Sequence, residues 1–296
     1  MIHYRNCPAC QSTQILSHSE IKDHSVSGDI FPVWICENCG LKFTQDVPEQ
    51  AQIGRYYQSE AYVSHTDTNE GIINKLYHSI RKITIRQKRK MVMVETGKKS
   101  GRILDIGCGT GAFLYEMQGA GWDVVGLEPD DTAASIAREK HKLNPRNPQE
   151  LFSLDASSFD AITMWHVLEH VHTLDEYVAQ LNKLMSDKAV LFVAVPNYTS
   201  QDAAHYGTAW AAYDVPRHLY HFSPDSMKAL MERHGLKIDK IKPMWFDAIY
   251  VSMLSEKYYV GKNRLFHAIF NGMMSNVKAL FSTKRCSSLI YVIRKK

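Results

Sequence analysis

The chain has 296 residues, 45% of them hydrophobic and 22% charged, with a formal net charge of +4. That length can bury a full core with room for a small appendage, and no apolar run is long enough to cross a bilayer. The opening MIHYRNCPAC lacks the layout of a signal peptide, and the charge is too small to mark a nucleic-acid binder by itself; the expected location is cytoplasmic, with reduced thiols.

The first elements are two knuckles, Cys7-Pro8-Ala9-Cys10 and Cys36-Glu37-Asn38-Cys39. A CxxC turn aims two sulfurs to one side of a tight loop, and two such turns close a tetrahedral site of four thiolates. The expected metal is a structural zinc held by Cys7, Cys10, Cys36 and Cys39, with a strand over Ile30–Ile35 leading into the second knuckle. Four protein ligands leave no open position, so this zinc is assigned to folding. Residues 1–48 are read as a zinc ribbon and 49–99 as a helical linker or lid. Within the latter, 75-KLYHSIRKITIRQKRKMVMVETGKK-99 sets nine basic residues against Glu95 on a helical pattern. Such a face is either simply solvated or attracts phosphate on RNA, a nucleotide-sugar or a lipid head group.

From Gly101 onward short apolar runs alternate with helical patterns, the signature of β-α units. Strands are expected at 102–107, 122–128, 159–164, 189–195, 236–245 and 287–295, and helices over 112–119 and 131–141; a weak strand is placed within 142–156. The first strand ends in 105-DIGCGTGAF-113. Gly107, Gly109 and Gly111, with Cys108 between them, let the backbone turn sharply before a helix N-terminus. The same spacing satisfies a dinucleotide fingerprint, but Asp105 would repel a pyrophosphate. It suits the ammonium and sulfonium of S-adenosylmethionine. Glu128, ahead of Pro129, ends the second strand, where a carboxylate can accept ribose hydroxyls.

The ordered stretches ILDIGCGTGAFL, VVGLEP, FDAITMWHVLEHV and VAVPN resemble class I S-adenosylmethionine-dependent methyltransferases. The resemblance covers residues 100–296 and implies an α/β fold: a doubly wound, Rossmann-like, mostly parallel sheet of seven strands whose last is antiparallel. It implies that Asp105, Gly107, Cys108, Gly109 and Gly111 hold the methionine part and Glu128 and Pro129 the ribose. An N-terminal aromatic segment, here Tyr57 and Tyr62, folds over the cofactor in such enzymes.

The stretch 164-MWHVLEHVH-172 fits the H-x-x-E-H pattern of inverted zinc proteases, which needs both histidines on one long helix. The resemblance implies instead a wall of the cofactor site, with Trp165 and His166 against the methyl donor. Glu169 and His170 would cap and orient the helix that follows.

After VPN the segment 198–236 gathers Trp210, Tyr213, Asp214, Arg217, His218, Tyr220 and His221, a density that marks a functional loop. It resembles the acceptor segment of sugar C-methyltransferases and quinone-type O-methyltransferases. The former also carry a four-cysteine zinc domain but have Glu-His where Arg217-His218 stands. The expectation is methyl transfer to a small-molecule, sugar or lipid-linked acceptor, at oxygen or at carbon, with His218 as catalytic base and His221 and His166 as rivals. The alternative is an RNA methyltransferase gripping phosphates with ribbon and basic helix. Finally, 263-NRLFHAIFNGMMSNVKALF-281 repeats apolar residues at helical spacing. It predicts either a core helix between the last two strands or a surface helix touching a membrane or partner.

Overall fold

The computed structural model describes residues 1–57, 72–262 and 264–296. Tyr62 lies outside the described residues, as do the side chains of Lys75 and Arg81. The elements begin with β1 (Ile15–Lys22), β2 (Ile30–Cys36), β3 (Lys42–Thr44), α1 (Ile72–Thr96), β4 (Arg102–Ile106), α2 (Ala112–Gly119) and β5 (Asp123–Leu127). They continue with α3 (Asp131–His141), β6 (Phe159–Trp165), α4 (Leu174–Leu184), β7 (Met185–Pro196), α5 (Gln201–Tyr206) and β8 (Tyr220–His221). The last are α6 (Pro224–Arg233), β9 (Leu236–Pro243), α7 (Asp247–Val260), α8 (Leu265–Phe281) and β10 (Ser288–Lys295).

Among the described residues the large sheet has six strands in the order β5-β4-β6-β7-β10-β9. β4 runs parallel to β5 and to β6, with Asp105 beside Gly126 on one side and Thr163 on the other. Its residues Ile103 to Ile106 are all buried, as expected of a parallel strand covered on both faces. The expected seventh strand shrinks to one parallel bridge, Leu127 to Arg146. There Arg146 N–H donates to Gly126 O at 2.9 Å, and Glu128 N–H donates to Arg146 O at 3.0 Å. Prolines flank the segment at 145 and 148, and Pro148 opens a 3-10 turn over Pro148–Ser153. A proline has no N–H for the ladder, so pairing cannot extend.

The chain divides into two compact units. The first comprises Met1–Ser64, His166–Val178 and Ala194–Tyr291; the second comprises His65–Trp165, Ala179–Val193 and Val292–Lys296. In the second, a core of Ile103, Phe113, Leu114, Met117, Trp122, Ala161 and Phe192 packs α1 and α2 onto the sheet. In the first, β1, β2 and β3 continue into β8, antiparallel, with Lys42 opposite His221 and Phe43 opposite Tyr220. Ile21, Phe31, Val33, Tyr56, Tyr206, Trp210 and Tyr213 form its core. The ribbon thus shares a sheet and a core with residues of the 198–236 segment.

The C-terminal helix also departs from its core reading. In α8 the buried residues are Ala268, Gly272, Ser275 and Ala279, a stripe of small side chains. A Cβ on Gly272 would lie 2.7 Å from Ile249 Cα, so the backbones of α7 and α8 nearly touch there. Ser275 Oγ donates to the buried Asp202 at 2.8 Å, an anchor shared with Trp210 Nε1 and Ser287 Oγ. The polar anchor and the close approach turn the small face inward and leave Phe266, Phe270, Met273, Leu280 and Phe281 exposed.

Candidate active site

In the second unit, β4 delivers the chain into a loop where Gly107, Gly109 and Gly111 have φ of 70°, 55° and 76°. This left-handed region is one that glycine enters without strain. A Cβ on Gly111 would also meet Leu143 at 2.7 Å and Ala137 at 3.0 Å, so α3 packs directly on the loop. Glu128 fixes the loop from β5: its Oε2 accepts from Gly109 N–H at 2.7 Å and its Oε1 from Asp130 N–H at 2.9 Å. Pro129 follows at the surface. Asp105 is buried, and its Oδ1 accepts from the Thr163 hydroxyl at 2.6 Å. Burial, reinforced by the Glu128 charge, lifts its carboxyl to about 7 despite the Thr163 bond and the nearby Lys88. A buried carboxylate of this kind favours a cation, and an ammonium or sulfonium supplies one. Cys108 contributes backbone to the loop while its side chain packs into the core. Trp165 ends β6 with Lys88 Nζ 4.1 Å over its ring and Phe113 edge-on at 5.7 Å. Lys88 and Arg89, the latter 2.9 Å from Glu116, are thus both engaged within this unit.

In the first unit the chain resumes at His166, whose φ of 58° reverses its direction after β6. Residues Leu168–His170 form one 3-10 turn, not a long helix, so the inverted-zincin pattern has no helix to sit on. His166 Nε2 lies 2.8 Å from Asp247 and its Nδ1 3.4 Å from Glu169 Oε1. Burial would push this imidazole down, but the two carboxylates outweigh it and raise it to about 10. The two carboxylates thus favour the charged form of His166.

His170 is the reverse case. Burial, and then the adjacent His218, push it down to about 4. Its Nδ1 lies 3.0 Å from Arg217 O and 3.1 Å from the Tyr57 hydroxyl. A carbonyl can only accept, so Nδ1 carries the proton and Nε2 the lone pair. His218 repeats the arrangement, with Nδ1 2.8 Å from Ala212 O. The two rings meet edge to face at 4.6 Å. His221, the expected rival base, is buried in β8 with Nε2 3.2 Å from Thr44 Oγ1. That hydroxyl already donates to His218 O at 2.8 Å, so it accepts from His221. Burial also holds His221 well below its ordinary range. Tyr57 belongs to this cluster and not to the glycine loop's unit.

Arg217 anchors a buried polar network. Its fully buried guanidinium binds Asp214 through Nε and Nη2 at 3.0 and 2.7 Å, and Asp23 through Nη2 at 2.9 Å. It also donates to Tyr56 O at 2.7 Å and to the Ser25 hydroxyl. Nothing in the sequence spacing marks Asp23 as its partner 194 positions away. All six cysteines of the chain are free thiols, and four of them lie in the ribbon. One sulfur from each of Cys7, Cys10, Cys36 and Cys39 lies within 4.8 Å of the others, with Cys7–Cys39 and Cys10–Cys36 both at 3.5 Å. Four sulfurs at about 2.3 Å from one zinc would be spaced similarly, so the donor set fits that ion.

A family model described as a methyltransferase domain matches residues 77–241, more than half of the chain. The chain belongs to this family. It is a class I S-adenosylmethionine-dependent methyltransferase. It is 24% identical to a ubiquinone biosynthesis O-methyltransferase of Pelagibacter ubique over 195 residues, 59% of this chain and 80% of that one. It is also 24% identical to the mitochondrial enzyme of that name from Rattus norvegicus, spanning about half of each, 49% and 47%. Among solved structures, a geranyl diphosphate C-methyltransferase from Streptomyces coelicolor shares the methyltransferase's fold at TM-score 0.56 and 14% identity. That match covers 85% of this chain and 100% of the other.

Proposed function

We propose that this methyltransferase moves the methyl group of S-adenosylmethionine to a hydroxyl oxygen of a small, lipid-like acceptor. The glycine loop, Asp105 and Glu128 hold the donor, and the turn at Glu169–His170 together with His218 meets the acceptor. The observation that carries the reading is the His218 ring: its Nδ1 is fixed on Ala212 O and its Nε2 lone pair is left for chemistry. The sulfonium already makes the methyl carbon electrophilic, so the protein has to align the oxygen and remove its proton. The hydroxyl proton leaves at the His218 cluster and the oxygen lone pair attacks the methyl carbon. The carbon–sulfur bond breaks onto sulfur, giving a methyl ether and S-adenosylhomocysteine. The O-methyltransferase names of the relatives support oxygen over carbon.

The four-cysteine cluster is assigned a structural zinc that stabilises the ribbon. The exposed face of α8, where Phe266 and Phe281 are each 88% exposed, is assigned to the surface of an anionic bilayer. Exposed Lys262, Arg264, Lys284 and Arg285 flank it at both ends. Incubation with methyl-labelled S-adenosylmethionine and a panel of phenolic and lipid-linked hydroxyl acceptors tests the reading: label should appear in a methyl ether. Label found only on carbon, on nitrogen or in RNA contradicts it.

A further inference from the structure

Glu169, His170 and His218 each bring one donor atom to within 4.8 Å of the others. Glu169 is 1% exposed, yet its Oε2 has no hydrogen-bond partner and its Oε1 has only the His166 contact at 3.4 Å. A fully buried carboxylate with open lone pairs is costly unless something positive fills them. Both histidines have Nδ1 tied to a backbone carbonyl, Arg217 O and Ala212 O, which fixes the tautomer with Nε2 free. That is how metal-ligating histidines are held, their second nitrogen oriented by a carbonyl or carboxylate. His218 Nε2 has Asp214 Oδ2 at 4.0 Å, but the Asp214 carboxylate is held by Arg217.

We propose that Glu169, His170 and His218 form a divalent-cation site of the two-histidine, one-carboxylate kind, taking zinc or another first-row ion, with open positions for the acceptor oxygen. The donor set is mixed nitrogen and oxygen, unlike the all-sulfur ribbon. Three protein ligands leave room for substrate, which the closed ribbon site does not. The inference rests on the oxygen-acceptor reading and says how the proton is lost. A hydroxyl bound to the cation is acidified and releases its proton to water. His218 then acts as a ligand and not as a free base.

The test uses the full chain stripped of metal and refilled with cobalt(II), read by metal analysis and visible absorption. Two equivalents should bind, one giving the intense thiolate charge-transfer band of the ribbon and one only the weak bands of nitrogen and oxygen ligands. Glu169→Gln and His170→Ala should each weaken the second equivalent about 100-fold or more and leave the thiolate band unchanged. A single equivalent, with the thiolate band and no difference in Glu169→Gln, overturns the site. If that result comes with methyl-ether product, the oxygen-acceptor reading stands and only the cation falls. Two equivalents with no methyl ether formed on any acceptor leave the cation site and remove the oxygen-acceptor reading.

Discussion

In the second unit the groups proposed for the cofactor lie on one stretch from Asp105 to Glu128, and most of them are backbone. In the first unit the cluster proposed to meet the acceptor is assembled from Tyr57, Glu169, His170 and His218, with Asp23 bracing it through Arg217 from one further place in the chain. Backbone geometry set by glycines is written in adjacent residues. A constellation of side chains depends on distant segments meeting, as where the ribbon sheet pairs with β8. Changes in the second unit should therefore alter binding and leave stability nearly intact, whereas changes in the first unit should couple the two.

The largest expected effect separates the units most sharply. Cys36→Ser should release the ribbon zinc, and with it an apparent stabilisation of about 10 kcal/mol or more. Because β3 pairs with β8, the loss should reach the acceptor segment; amide exchange at Tyr220 and His221 should rise along with exchange in the first fifty residues. Zinc retained at full stoichiometry would mean that the ligands are other residues.

Arg217→Met comes next. Removing one partner of a buried ion pair costs about 3–5 kcal/mol, here measured by denaturant unfolding. The same variant tests a pH dependence. Burial would raise the Asp23 carboxyl, but the Arg217 guanidinium and the Ser27 and Ser25 amides hold it well below its ordinary range. A depressed carboxylate adds stability above its unfolded pKa of about 4. That contribution is lost as pH falls further. The native protein should show this acid limb, and Arg217→Met should lack it.

Asp105→Asn should cut S-adenosylhomocysteine affinity about 10- to 100-fold, the value of a charge-assisted bond, with little change in melting temperature. Its carboxyl sits at about 7 in the free protein. A cationic ligand needs it ionised, so affinity for S-adenosylmethionine should weaken as pH falls below 7, by up to about tenfold per unit. Calorimetry in buffers of different ionisation heat should register a released proton at pH 6. Affinity flat from pH 8 to 5.5 would remove Asp105 from the ligand's contacts.

The fold was legible wherever a pattern was local. The helices 112–119 and 131–141, the strands at 102–107 and 159–164, and the glycine loop were readable because period, glycines and caps sit side by side. The seventh strand was not, since two prolines reduce it to the Arg146 bridge. The orientation of α8 was hidden for another reason. Its apolar stripe reads equally as a core face or a surface face, and Asp202 and the close approach at Gly272 turn it outward. His218 was visible as a histidine in a dense loop. Its partnership with Glu169 and His170 needed the folded chain, and the charge on His166 depends on Asp247, 81 positions on.

The smallest effect concerns that helix pair. Gly272→Val puts a side chain against the α7 backbone and should cost about 1–3 kcal/mol by overpacking, seen as a lowered melting temperature with cofactor affinity unchanged. Unchanged melting would mean that α7 and α8 are free to part.

The donor and acceptor halves of the reaction are proposed to be held by separable groups. His218→Ala separates them, with turnover and S-adenosylhomocysteine affinity measured on the same preparation. Turnover should fall about 10²–10⁴-fold while the affinity stays within twofold or so of the native chain. Turnover within a few-fold of the native enzyme, or a parallel loss of cofactor binding, would contradict the account.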